Sequence, residues 1–473
     1  MSPPPHKISA KELALHPLKA LAPLLAPDAP EGGGGRVARM SVEGAAGLAL
    51  RGPEEVEELL SARALKVSFA PWGDGGQRWG AKGLALHPAG VRLRPPGRAH
   101  DALRAAGPAL FYARWLPWIS QALTSAAEEA AAAPAPVALY PALRRAALSV
   151  VARTLCAELP GEALDALTPH LETLDTSYAR LLFTGRGSRP AWLPGSEHKR
   201  VAGALTQLEH ALRPLIRARI GGTVDADDLL TRWVDAESRD GRRPTEGDVL
   251  SEALALLMMG YTSLPKLVFG AACQVHPKGQ LELLERLRRE REQALAPPSA
   301  TPVSAAGDPL KARPTPQSAP LRALLPLNAL VAREALRLYP PAWLVTYAAR
   351  GAGALGGVDA QEGAALWASP WALQRDPRRF REAERFWPQR WAGQLSAELP
   401  KASFAPFGFE GPPSISEQLC EELLQRFLMV WFSGFEALDP PEHIDWALSL
   451  CLRPTTEVRW GLQAQGGGGG AEG

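Results

Sequence analysis

An ionised thiol can hold iron or act as a nucleophile, so the four cysteines are the first residues to place: Cys156, Cys273, Cys420 and Cys451. They lie far apart and show no C-x-x-C spacing. That pattern gives neither a zinc site nor a disulfide framework, and the four read as small core residues. Glu334 and Arg337 are three apart in an apolar-periodic run, hence on one helix face, where a carboxylate accepts two donors from one guanidinium. His100 and Arg104 stand at i, i+4, which taken alone marks a solvated helix face. Pro265 falls inside the apolar run ALALLMMGYTSLPKL. Proline there removes a helical hydrogen bond and costs roughly 3 kcal/mol, so the sequence predicts a kink or break at that point.

The elements that carry these residues are mainly helical. Apolar periodicity predicts helices at 112–133, 140–158, 161–182, 198–219, 226–239, 246–274 and 278–294. A small β region opens the fold, with a strand near Gly47, a turn at Gly52-Pro53 and a helix beginning with acidic residues. Residues 1–46 read as an N-terminal segment, 47–464 as a single domain, and 465–473 as a Gly-rich disordered tail. Within the domain, 296–320 is rich in Pro, Ser and Thr and has too little apolar surface to offset ordering entropy, so disorder is expected there. The chain of 473 residues is 46% apolar, enough for a large core. Its 52 basic and 50 acidic side chains give no electrostatic reason to expect nucleic acid or an anionic membrane. The leucine-rich N-terminus is broken by Pro17, Pro23 and Pro27, too short to span a bilayer, and a soluble cytoplasmic protein is expected.

Residues 329–391 carry a denser set of motifs. E-x-x-R at Glu334 and Arg337 is followed by Tyr339-Pro340-Pro341, Leu355-Gly356-Gly357, Gly363, Ser369-Pro370, Arg375-Asp376-Pro377 and F-x-P-x-R from Phe386 to Arg390. In order and spacing this closely resembles the K-helix and meander of cytochrome P450 enzymes. The resemblance implies a P450 fold with a long I-helix, a K-helix, a meander and a haem loop. It also implies that Arg390 completes a Glu334-Arg337-Arg390 cluster that is architectural. Weaker resemblance places His100 and Arg104 on the helix that faces the haem propionates, and Gly260, Thr262 and Ser263 on the oxygen-binding turn of the I-helix. It likens ALSLCLRPTTEVRWGL to the family's closing strands.

The resemblance fails where the chemistry should be. The family's haem loop, F-x-x-G-x-R-x-C-x-G, aligns with FGFEGPPSIS, in which only Phe407 survives and Ser414 stands at the cysteine. A serine hydroxyl ionises far less readily than a thiol and would push less electron density onto iron. Cys420 lies six residues further on, inside the next helix, and reads as packing. Tyr347 occupies the place of a propionate-binding Arg, with Arg350 nearby, and the I-helix turn has no acid. These losses imply that thiolate-haem monooxygenation has gone and that haem is absent or weakly held. The expected role is then a non-catalytic helper or binding protein, as in relatives without the cysteine that assist glycosyltransferases in natural-product pathways. The expected partners are such an enzyme, or a lipophilic small molecule in a cavity near Phe111, Trp115, Leu181, Leu182 and Met259. The alternative is a haem-binding oxidoreductase ligated through Ser414 or held by propionate contacts alone.

Overall fold

Stretches whose apolar residues recur at helical spacing become helices in the computed structural model. It describes residues 5–25, 37–42, 45–61, 67–69, 86–87, 90–91, 137–157, 159, 161–180, 197–224, 226, 228–236, 243–296, 321–349, 351–393, 398–409 and 415–462. The predicted helix at 112–133 and nearly all of the predicted connector at 296–320 lie outside these residues.

The described strands are β1 (His6–Ile8), β2 (Val37–Val42), β3 (Ala45–Leu50), β4 (Val67–Phe69), β5 (Leu86–His87), β6 (Gly90–Val91), β7 (Val137–Ala138), β8 (Val345–Ala349), β9 (Gly353–Leu355), β10 (Val358–Ala360), β11 (Ala365–Ala368), β12 (Phe435–Leu438), β13 (Trp446–Ala447), β14 (Arg453–Pro454) and β15 (Arg459–Leu462). Six form the main sheet in the order β1-β2-β3-β11-β8-β4, so residues before Gly47 are hydrogen-bonded into the same sheet as residues near 366. The closing strands make an antiparallel β13–β14 hairpin, and β15 joins β12 and β7.

The helices are α1 (Ala10–Leu15), α2 (Pro17–Leu25), α3 (Pro53–Ser61), α4 (Leu139–Leu155), α5 (Gly161–Thr173), α6 (Glu197–Ile220), α7 (Leu229–Asp235), α8 (Glu246–Gln274), α9 (Pro277–Leu295), α10 (Leu321–Leu324), α11 (Pro326–Leu338), α12 (Pro370–Leu373) and α13 (Ile415–Gly434). A mainly helical chain with a small β region is what the periodicity predicts. The helix expected at 226–239 is shorter. Asp228 caps its start by accepting from the Thr231 amide at 2.9 Å, and Ala236 leaves helical geometry at its end.

The core helix α8 starts at a capping box in which Thr245 and Asp248 exchange side-chain bonds to each other's backbone amides. It is long and apolar enough to cross a membrane, yet its apolar window is wholly buried inside the protein. Pro265 does not break it. Residues Met259–Ser263 widen into a π turn, with the Leu264 amide donating to the Met259 carbonyl, and α-helical geometry resumes at Leu264–Gln274. The wider turn gives room where the proline ring would otherwise meet the carbonyl four residues back. A second π turn, Leu174–Tyr178, continues α5. Gly260 lets α4 approach, since a Cβ there would stand 2.8 Å from the Val151 Cβ.

Candidate functional site

Two buried polar clusters lie near the residues singled out by sequence. The first gathers on Glu334, which is fully buried on α11. Arg337, one helical turn on, donates to it twice, at 2.9 and 2.7 Å. Arg390 Nε, the Trp387 amide and Trp391 Nε1 donate at 3.1, 2.9 and 2.8 Å. The remaining guanidinium protons go to backbone: Arg337 to the Gln374, Ala383 and Arg385 carbonyls, and Arg390 to those of Arg381, Glu382 and Arg385. Gln374 donates to the end of α11 and accepts from the Ala405 amide at 3.0 Å. That contact ties α11 to the loop carrying Phe407, which is 9% exposed. The cluster fixes the meander to α11 and leaves no donor or acceptor facing open space for chemistry.

The second cluster surrounds the π turn of α8. Thr262 Oγ1 donates to the Met258 carbonyl at 2.7 Å, and the Thr262 and Ser263 hydroxyls both lie 3.3 Å from the Cys451 Sγ. Cys451 belongs to the tip between β13 and β14, 189 residues from Thr262 in sequence. One turn past Thr262, the Lys266 ammonium donates to the Pro340 carbonyl at 2.6 Å and to the Cys451 carbonyl. Lys266 is fully buried, and burial pushes its ammonium down to about 7. Burial raises the Cys451 thiol, against the opposing pull of Lys266 and the two hydroxyls.

Asp175, in the second π turn, faces the same tip and accepts from the Leu450 amide at 3.1 Å through its side chain and through its backbone carbonyl. Burial raises its carboxyl to about 6, with Arg144 opposing. On the outer side, Glu172 takes donors from Arg144, Arg453 and the Tyr261 hydroxyl. The Arg144 guanidinium stacks 3.9 Å from the Tyr261 ring centroid. A cleft of about 430 Å³ opens beside this pair, lined also by Leu148, Ser149, Leu164 and Thr168.

The structure thus brings Glu334, Arg337 and Arg390 together. It puts Thr262 and Ser263 side by side against Cys451, and turns Gly260 toward α4. His100, Arg104, Ser414 and Arg350 lie outside the described residues, as do Phe111, Trp115, Leu181 and Leu182 of the expected cavity. Met259 is buried in the π turn. Cys420 is fully buried in α13, its thiol held well above the ordinary range by burial, which suits a packing residue. Lys266, Asp175 and the position of Cys451 were not singled out by sequence. The available signal was Lys266 itself, a charge in the middle of an apolar run.

A haem lying on this face of α8 would need open space at Thr262 and Ser263 and a cation for its propionates. The hydroxyls are instead covered by a thiol 3.3 Å away, and neutral Tyr347, 1% exposed in β8, stands where the resemblance places an Arg. Ser414, His100 and Arg104, the residues the resemblance assigns to that group, lie outside the described residues.

Comparisons with known proteins agree with the architecture. The sequence model of the family described as Cytochrome P450 matches residues 282–412. The chain is 29% identical over 223 residues to cyclooctat-9-en-7-ol 5-monooxygenase of Streptomyces melanosporofaciens, covering 46% of this chain and 43% of that protein. It is 26% identical over 273 residues to pentalenene oxygenase of Streptomyces avermitilis, covering 57% and 56%. These matches span about half the length of each relative. The solved structure of retinoic acid-bound cyanobacterial CYP120A1 superposes with a TM-score of 0.69 at 17% identity, over 98% of this chain and 100% of that one, a likeness of fold.

Proposed function

We propose a function from a fixed premise: the chain belongs to the cytochrome P450 superfamily. Haem is that family's cofactor, and its thiolate ligand promotes O–O cleavage. In this chain the fold serves a different purpose. The protein is a non-catalytic helper or binding protein of natural-product biosynthesis, acting in the cytoplasm on a partner enzyme such as a glycosyltransferase, or holding a lipophilic molecule.

The observation that carries this reading is the closure of the α8 turn. Thr262, which donates to the Met258 carbonyl, and Ser263 both lie against the Cys451 thiol, with no acid beside them in α8, while the Glu334 cluster that maintains the architecture is complete. The sequence adds Ser414 at the ligand position, in a loop that has also lost its Arg and both Gly. A fold does not carry its chemistry with it. The relatives' names, a monooxygenase of an alkenol and an oxygenase of an alkene, support lipophilic natural products as the setting.

The test is the iron content and absorbance of protein purified from cells supplied with a haem precursor. Iron far below one per chain and no Soret band are expected. One haem per chain would overturn the reading in favour of a haem-binding oxidoreductase with a ligand other than cysteine at position 414.

A further inference from the structure

Tyr261 turns away from the Thr262 and Ser263 contact with Cys451. Its hydroxyl reaches Glu172 on α5, and it lines the cleft of about 430 Å³ between α4 and α5. That volume falls within the range of small-molecule sites, roughly 300–1,000 Å³. Leu148 of α4 and Leu164 of α5 are buried yet border the cleft, so its walls are largely apolar. Neither Cys451 nor any residue of the β13–β14 hairpin lines it.

The polar centre of the cleft is Arg144. Its guanidinium lies 3.9 Å from the Tyr261 ring centroid and donates through one terminal nitrogen to Glu172, so its plane is set before a ligand arrives. A guanidinium carries five donors, and among the described residues Glu172 is the acceptor that Arg144 reaches. Glu172 is itself shared with Arg453 and Tyr261. The Arg144 side chain is 17% exposed, and the cleft it lines is where an acceptor for its other donors can enter. At the rim, Arg145 and Asp165 stand 3.8 Å apart at 82% and 67% exposure, a pair too wet to contribute much binding of its own. The lining thus sets two cations against one carboxylate.

We propose that the α4–α5 cleft is a binding site for a compact lipophilic carboxylate. Arg144 takes the carboxylate, since a fixed guanidinium plane favours two parallel N–H···O bonds. Leu148 and Leu164 take the apolar body, and Arg145 adds attraction from the rim. A neutral ligand of the same shape gains the walls but forgoes the charge-assisted bonds. The site shares no residue with the Glu334 cluster or the Cys451 contact, so the proposal does not depend on whether the chain holds haem.

The probes 2-naphthoate and 2-naphthamide have nearly the same shape and differ in charge. Calorimetric titration of the full chain should give one naphthoate per chain, bound about tenfold more tightly than naphthamide, as expected for one charge-assisted contact. Ser149→Trp puts an indole into the cleft from an exposed position on α4 and should abolish binding of both probes without lowering the melting temperature. Arg145→Glu, also at an exposed position, should weaken naphthoate about tenfold and leave naphthamide unchanged. Arg144→Gln should erase the preference for naphthoate. Because Arg144 also supports Glu172, the two exposed variants carry the test where Arg144→Gln fails to fold. Absence of naphthoate binding overturns the proposal, as do equal affinities for the two probes. Naphthoate binding that survives Ser149→Trp, or that ignores Arg145→Glu, places the ligand elsewhere and overturns it too.

Discussion

The two clusters of buried charge in this chain are built on opposite terms. Around Glu334, one carboxylate meets two guanidinium groups and two further donors, and the surplus guanidinium protons end on backbone carbonyls. Around Lys266, the cation meets two backbone carbonyls and lies 5.9 Å from the Trp446 ring centroid, while Asp175 on the second π turn accepts from the Leu450 amide. The first arrangement satisfies every polar group and so stabilises one geometry. The second meets its charge with neutral carbonyls and an aromatic ring beside two π turns, a departure from regular helix that is common at functional sites. The contrast assigns architecture to the first cluster and sets the second apart from it.

The largest effect should come from breaking the satisfied cluster. Glu334→Gln keeps the shape but leaves Arg337 and Arg390 buried without their carboxylate, a change that costs about 3–5 kcal/mol. Urea unfolding should show the loss, and a variant as stable as wild type would mean that Glu334 does not hold the meander.

Packing at the π turn should come next. A methyl at Gly260 meets Val151 at 2.8 Å, so Gly260→Ala should destabilise by about 1–3 kcal/mol, with partial recovery when Val151→Ala is added. Thermal melts of the single and double variants check this. An unaffected Gly260→Ala would mean that α4 and α8 are not so close.

The mismatched cluster should respond least, and with a distinctive pH dependence. Burial lowers the Lys266 ammonium from 10.5 to about 7, so between those values the unfolded chain binds more protons than the folded one and stability rises with pH. The unfavourable contribution of Lys266 is thus complete below about pH 7 and relieved toward 10.5. Lys266→Met should be close to wild type at neutral pH, within about 1 kcal/mol, because it removes both the unmatched charge and its two hydrogen bonds. Its stability relative to wild type should fall as pH rises from 7 to 10 in matched melts. Asp175, Cys451, Arg375 and Cys420 also influence Lys266. The comparison is therefore between variant and wild type rather than between pH values alone. A flat difference would show that Lys266 is as well compensated as Glu334.

The two clusters also differ in how far the sequence exposed them. Glu334 and Arg337 share one helix turn, and Arg390 follows in a compact motif, so local spacing was enough to place all three. The Lys266 cluster depends on Cys451, 185 residues away, and on Asp175 from another helix, contacts that no local pattern encodes. Pro265 announced a disturbance in α8, but periodicity did not distinguish a kink from the π turn that absorbed it. The identity of Ser414 was plain from the haem-loop alignment, although the residue lies outside the described part of the chain.

The variant Ser414→Cys sharpens the same contrast by restoring the thiol alone. The loop still lacks its Arg and Gly residues, and the α8 hydroxyls remain covered, so it should give no thiolate-type carbon monoxide spectrum. Appearance of that spectrum would place the whole difference from a working enzyme in one side chain.

The central claim, that this fold is maintained without its prosthetic group, is tested most directly by titrating the purified protein with haemin and following the Soret band. The account predicts a spectrum that stays that of free haemin throughout. A saturable shift with one haemin per chain would contradict it.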